Sequence, residues 1–230
     1  MESNRRIIVL RDGDCSGCGG DWTVAAGDSV EVYQLCTHGT HSVNIRLEAG
    51  ARAKVVFAAA TQGEVAYNYH IDLDGEGAEA EVYGVMMVGG RDSVKVHTEM
   101  RHNAPHCHSN QQVRGVADGE GYGLFDGLVY VAPDAQQTEA YQQSRNVLLS
   151  PTARIQTQPQ LEIYADDVKC SHGATVGQMN EEQIYYMRQR GLSEEDARRL
   201  QLGGFVGEIL GHIDDEALRA EFEERLSVIR

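Results

Sequence analysis

The sequence predicts an all-β core followed by an α-helical tail, and three features carry that reading. Up to about residue 177, short runs rich in β-branched and aromatic residues alternate with Gly, Asp and Asn. No long helical periodicity interrupts these runs. Beyond Gly177 the apolar spacing changes to that of amphipathic helices. The chain thus divides into a β core over residues 1–177 and a helical region over 178–230.

In chain order, VVFAAAT (55–61), EVAYNYHIDLD (64–74), AEVYGVMMV (80–88), SVKVHTEMRH (93–102), GLVYVA (127–132) and QLEIYADDVKC (160–170) read as strands. A motif recurs among them: LEAGARAKVVF from Leu47, LDGEGAEAEVY from Leu73, VAPDAQQTEAY from Val131 and LSPTARIQTQPQLEIY from Leu149. Each places a Gly-, Asp- or Pro-containing turn before a small residue and an extended run. The clearest starts lie about 18 to 27 residues apart, the period of a β-solenoid coil. The repeat favours a solenoid; its irregular spacing leaves a β-sandwich open.

The tail carries helix signals in order. Asn180 is an N-cap before NEEQIYYMRQRG, with Gln183 at capping-box spacing and Gly191 just past the end. Ser193 opens a second helix with early acids, and Asp214 or Asp215 caps a third. Leu218, Phe222 and Leu226 then form an apolar stripe on one face, expected to pack on the β core.

Composition narrows the function classes. With 230 residues the chain can bury one sizeable core. Its formal net charge of −15 argues against nucleic acid or an anionic membrane as the main partner. No apolar run approaches the roughly 20 residues that span a bilayer. The first residues, MESNRRIIVL, lack a signal-peptide apolar region, so a cytoplasmic location is expected. Five irregularly spaced cysteines point to reduced thiols rather than a disulfide framework. Enzyme signatures are missing. No glycine-rich loop ends in Lys-Ser/Thr, so no nucleotide is expected to bind by that route, and GYGLFDG (121–127) reads as a turn. Asp166 and Asp167 are adjacent, which on a strand turns them to opposite faces.

Three groups of side chains can bear metal chemistry. Cys170 and His172 lie two apart at the end of a strand-like run, so thiol and imidazole emerge on one face. Thiolate plus imidazole suits iron–sulfur clusters, zinc or copper, but two donors complete no tetrahedral site. The plainer reading is a buried cysteine beside a hydrogen-bonded histidine. In RHNAPHCHSN, an extended backbone would put His106 and His108 on one face, with His102 close by. The plainer reading there is a polar loop. Cys15 and Cys18 form half of a zinc-knuckle pattern that Cys36 and His38 can complete, giving an alternative function as a zinc-stabilised interaction module.

The stretch LLSPTARIQTQPQLEIYADDVKCSHGATVGQMNEEQIYYMRQRG resembles the C-terminal signature of the SufB/SufD family, the scaffold subunits of SUF iron–sulfur cluster assembly. The segment from RHNAPHCHSN to SRNVLLSPTA resembles the middle of the same family. The likeness runs from about His102 to Gly211 and more weakly from Val30 to Met100, and KCSHGAT is closer to the SufD side. Typical members are longer, so the chain reads as a short scaffold. The resemblance implies a right-handed parallel β-helix with C-terminal helices, no catalytic activity, and edge-to-edge pairing with a SufB/SufD-type subunit or a second copy. It also implies docking of a SufC-type ABC ATPase on the helical region. Cys170 and His172 would then lie at the subunit boundary, as ligands or persulfide carrier for a transient iron–sulfur cluster.

Overall fold

The computed structural model describes residues 4–12, 19–60 and 63–226. The chain winds between two parallel sheets. One is built from β1 (Arg5–Arg11), β3 (Ser29–Leu35), β5 (Arg52–Ala60), β7 (Glu79–Val88), β9 (His108–Ala117), β11 (Thr138–Leu148) and β13 (Val168–Gln178), paired in that order. The other contains β2 (Gly20–Val24), β4 (Gly39–Leu47), β6 (Glu64–Leu73), β8 (Ser93–His102), β10 (Tyr122–Val131) and β12 (Arg154–Ile163). Each strand pairs in parallel with the next-but-one strand in sequence, which makes the molecule a β-solenoid and excludes the sandwich.

Alternate residues of both sheets point into the lumen. Val32, Val55, Phe57, Ile45, Tyr67, Tyr69, Phe125 and Val129 fill it and form one continuous core. The early lumen is aromatic: Phe57 lies 5.3 Å from Tyr69 and 5.6 Å from Tyr67, ring centre to ring centre. Corners need left-handed backbone, and Gly77 at φ 70° supplies one. Coils lengthen along the chain. Gly20 pairs with Val43, 23 residues on, whereas Tyr122 pairs with Arg154, 32 residues on. That drift explains why the sequence repeat is irregular.

Two strand assignments change. GYGLFDG, read as a turn, lies almost wholly in β10; Gly123 and Gly127 face the lumen, where a side chain at 123 would crowd Ile155. QLEIYADDVKC is not one strand: β12 ends at Ile163 and β13 begins at Val168, with the chain turning from one sheet to the other between them.

The helices α1 (Glu181–Gln189), α2 (Glu194–Leu210) and α3 (Glu216–Leu226) follow the predicted caps. The Asn180 side chain accepts from the Gln183 amide at 3.0 Å, Ser193 from that of Asp196 at 3.0 Å, and Asp215 from that of Leu218 at 2.9 Å. Val206, Ile209, Leu210, Ile213, Leu218, Phe222 and Leu226 bury against Tyr33, Leu35, Val56, Ala58, Tyr83, Val85, Met87 and Val116 on the outer face of the larger sheet. The predicted stripe therefore packs on the core. The tail runs back along the solenoid: α1 packs near Val147 and Leu149 of the last coils, while Glu221 of α3 pairs with Arg11 of β1 at 2.7 Å. No helix among the described residues is long and apolar enough to cross a membrane.

Candidate functional site

The two ends of the solenoid differ. At the first end β2 is only five residues long, and β1 carries Arg5 and Arg11, which pair with Glu31 and Glu221 at 2.7 Å each. Short, charged edges discourage further strand pairing. At the other end, among the described residues, β12 and β13 each have a strand on one side only. β13 is 11 residues long, and from Cys170 to Gln178 it contains no Asp, Glu, Lys or Arg. Its residues from Ser171 onward are exposed. A long, flat, weakly charged edge with unpaired amides and carbonyls is a template for another strand.

Cys170 and His172 sit on this edge strand, in its lumen-facing row. Register fixes what lies beneath them: Cys170 beside Ala140 and then Ser109, His172 beside Gln142 and then Gln111. Cys170 is half-buried and His172 is exposed at the open rim. Burial pushes the Cys170 thiol above the usual cysteine range, and a hydrogen bond with the Ala140 backbone partly offsets this. The thiol is thus the resting form. Its alkylation by iodoacetamide should rise with pH, with a midpoint above that of an unperturbed cysteine; a midpoint below it would contradict the burial seen at this edge.

Chemically, one soft donor and one imidazole make half of a site. An iron–sulfur cluster carried here as cargo fits that donor pair, and the open edge leaves room for donors from another chain.

The other candidate groups are not gathered. His102 lies inside the lumen, fully buried, with Nε2 2.8 Å from Ser109 Oγ, and burial lowers its pKa to about 4. His106 adopts a left-handed φ of 60°, which breaks the extended geometry expected for it; its Nε2 lies 3.9 Å from the Glu76 carboxylate. His108 is on β9 near Tyr141, on the outer face. Cys36 is buried in the core, whereas the His38 side chain is largely exposed, 3.5 Å from Asp12. Cys15 and Cys18 lie outside the described residues. Among the described residues no group of three or more His, Cys, Asp or Glu side chains is placed to hold a metal ion.

Two features escaped the sequence. Gln111 and Gln142 are buried lumen residues whose amide atoms have no hydrogen-bond partner among the described residues. Their alternation with Ser109, Ala140 and Ser144 was the available signal. The second is a shallow apolar groove between α1 and α2, lined by Tyr186, Met187 and Leu200, with Tyr185 close by in sequence. Tyr185, Tyr186 and Leu200 are each more than half exposed, at 63%, 57% and 60%. Exposed aromatics clustered this way mark protein-binding surfaces.

Residues 23–205 match the family model described as SUF system FeS cluster assembly, SufBD core domain. The chain is 36% identical over 160 residues to the iron–sulfur cluster assembly protein SufD of Escherichia coli, covering 70% of this chain and 38% of that protein. It is 37% identical over 161 residues to a SufBD family protein of Synechocystis, covering 70% and 36%. A SufBD family protein of Mycobacterium leprae is 29% identical over 244 residues, covering 88% of this chain and 62% of the relative. The chain thus spans little more than a third of the length of the first two.

Proposed function

Because the chain belongs to the SufBD family of the SUF iron–sulfur cluster assembly system, we propose that it is a non-catalytic scaffold subunit in that assembly. The observation that carries the proposal is the open, weakly charged edge strand β13 bearing both Cys170 and His172. A SufB/SufD-type subunit, or a second copy of this chain, adds to that edge through main-chain hydrogen bonds and brings the missing donors. Cys170, once ionised, offers a thiolate or carries a persulfide sulfur; His172 offers a neutral imidazole two residues away. A SufC-type ABC ATPase docks on the α1–α2 groove, with Tyr185, Tyr186 and Leu200 as its apolar anchors. ATP hydrolysis belongs to that partner.

Anaerobic reconstitution of the full chain with iron and sulfide tests the proposal. Wild-type protein, alone or with a co-purified SufB-type subunit, is expected to develop a visible cluster chromophore. Cys170→Ala and His172→Ala should each diminish it several-fold without changing the far-ultraviolet circular dichroism. An unchanged spectrum in both variants would remove these residues from the site.

A further inference from the structure

At its open edge the outer face of the larger sheet is built in two layers. From Ser171 onward, the outward residues of β13 are Ser171, Gly173, Thr175 and Gly177, with short side chains or none. Behind them in register on β11 stand the longer Tyr141, Gln143, Arg145 and Val147. Tyr141 and Arg145 are exposed. A strand added to β13 therefore meets the side chains of β11 as well, across a row too low to screen them. Two strand spacings are about 9.6 Å, a gap that an arginine and a glutamate extended toward each other can close.

Charge singles out one position on this face. The last three strands, β9, β11 and β13, carry three Lys or Arg side chains there, and two are matched. Lys169 pairs with Glu139 at 2.7 Å, and Arg114 is engaged by Glu208 at 2.9 Å. Arg145 has no carboxylate partner among the described residues. Its register neighbours explain why. On one side stands Arg114, a like charge; on the other stands Thr175, which is short and uncharged. The direction left for a counter-charge is across β13, beyond the edge.

We infer that Arg145 is a specificity-determining residue of the edge: it selects an incoming strand whose outward side chain beside Thr175 is Asp or Glu. The inference rests on the reading of β13 as the pairing edge. A second copy of β13 does not meet the requirement, because VKCSHGATVGQ contains no Asp or Glu. The occupant is therefore a strand of a different chain, uncharged apart from that acid. Main-chain hydrogen bonds give any added strand its affinity, and the charge decides between strands. The selection runs against the molecule as a whole, whose net charge of −15 repels an acidic strand.

Fluorescence anisotropy of three labelled peptides against the full chain at low salt tests this. Each has the sequence Thr-Val-Thr-Val-X-Val-Thr-Val-Thr, with X as Glu, Gln or Lys, so that X shares a face with the threonines in any register. The Glu peptide is expected to bind about two- to fivefold more tightly than the Gln peptide, and the Lys peptide more weakly than both. Arg145→Met should abolish the preference for Glu, and Arg145→Lys should retain it. Sodium chloride at about 0.5 M should erase it in the wild type. A wild-type preference for Lys, which net charge alone would give, overturns the inference. So does a preference for Glu that survives in Arg145→Met. If none of the three peptides binds the wild type, β13 is not a pairing edge, and the inference falls with that reading.

Discussion

Phe222→Ala is expected to lower the unfolding free energy by about 3–5 kcal/mol, the cost of deleting a buried aromatic ring whose site cannot collapse. Phe222 is fully buried, and its neighbours come from two sources: the tail residues Leu218 and Leu226, and the outer face of the solenoid. The sheet side is rigid, because β3, β5, β7 and β9 beneath the helices are each bonded to a strand on both sides, so the cavity should persist. Denaturant titration measures the loss. Limited proteolysis locates it: cleavage should appear first between Glu216 and Leu226, while the strands stay protected. A cost below about 1 kcal/mol would mean that α3 does not rest on the solenoid. The test matters for function because the tail carries the groove proposed to dock an ATPase.

Glu208→Ala should also be costly, and more so than the loss of its partner. Arg114 projects from β9 under α2 with no exposed side-chain surface, and its Nη2 lies 2.9 Å from Glu208 Oε1. Gln143 Oε1 accepts from its Nη1 at 3.4 Å, and the Phe205 ring centre is 5.7 Å away. Removing Glu208 strands a buried guanidinium. Fully buried pairs lose about 3–5 kcal/mol in that situation, and Glu208 is half exposed, so roughly 2–3 kcal/mol is expected. Arg114→Met should cost less, because the orphaned carboxylate can turn to water. The double variant Arg114→Met/Glu208→Gln should recover most of the loss. A double-mutant cycle in urea with equal costs for the two single changes would contradict this burial asymmetry.

The legible parts of the fold were those fixed by near neighbours in sequence. The tail followed from Asn180, Ser193 and Asp215, whose side chains bond amides three residues on, and from the Leu218–Phe222–Leu226 spacing. The same holds for the donor pair: whatever strand holds Cys170 and His172, residues two apart share its face. Where the meaning of a residue depended on a coil 23 to 32 positions away, local pattern misled. GYGLFDG looks like a turn because glycines usually punctuate; here they leave lumen space for Ile155 and Gln142. His106 and His108 looked like partners until a left-handed residue turned the chain.

By itself, then, the sequence determined a β core with a capped helical tail, and a thiol beside an imidazole on one strand face. Its likeness to a known family supplied the solenoid's identity. The tertiary structure alone decided that this strand is the last of the solenoid, paired on one side only among the described residues and weakly charged, with two buried glutamines next in register to His172. The physical reason is that side-chain direction has a period of two residues, whereas edge, register and lumen neighbour are set by chain segments a full coil apart.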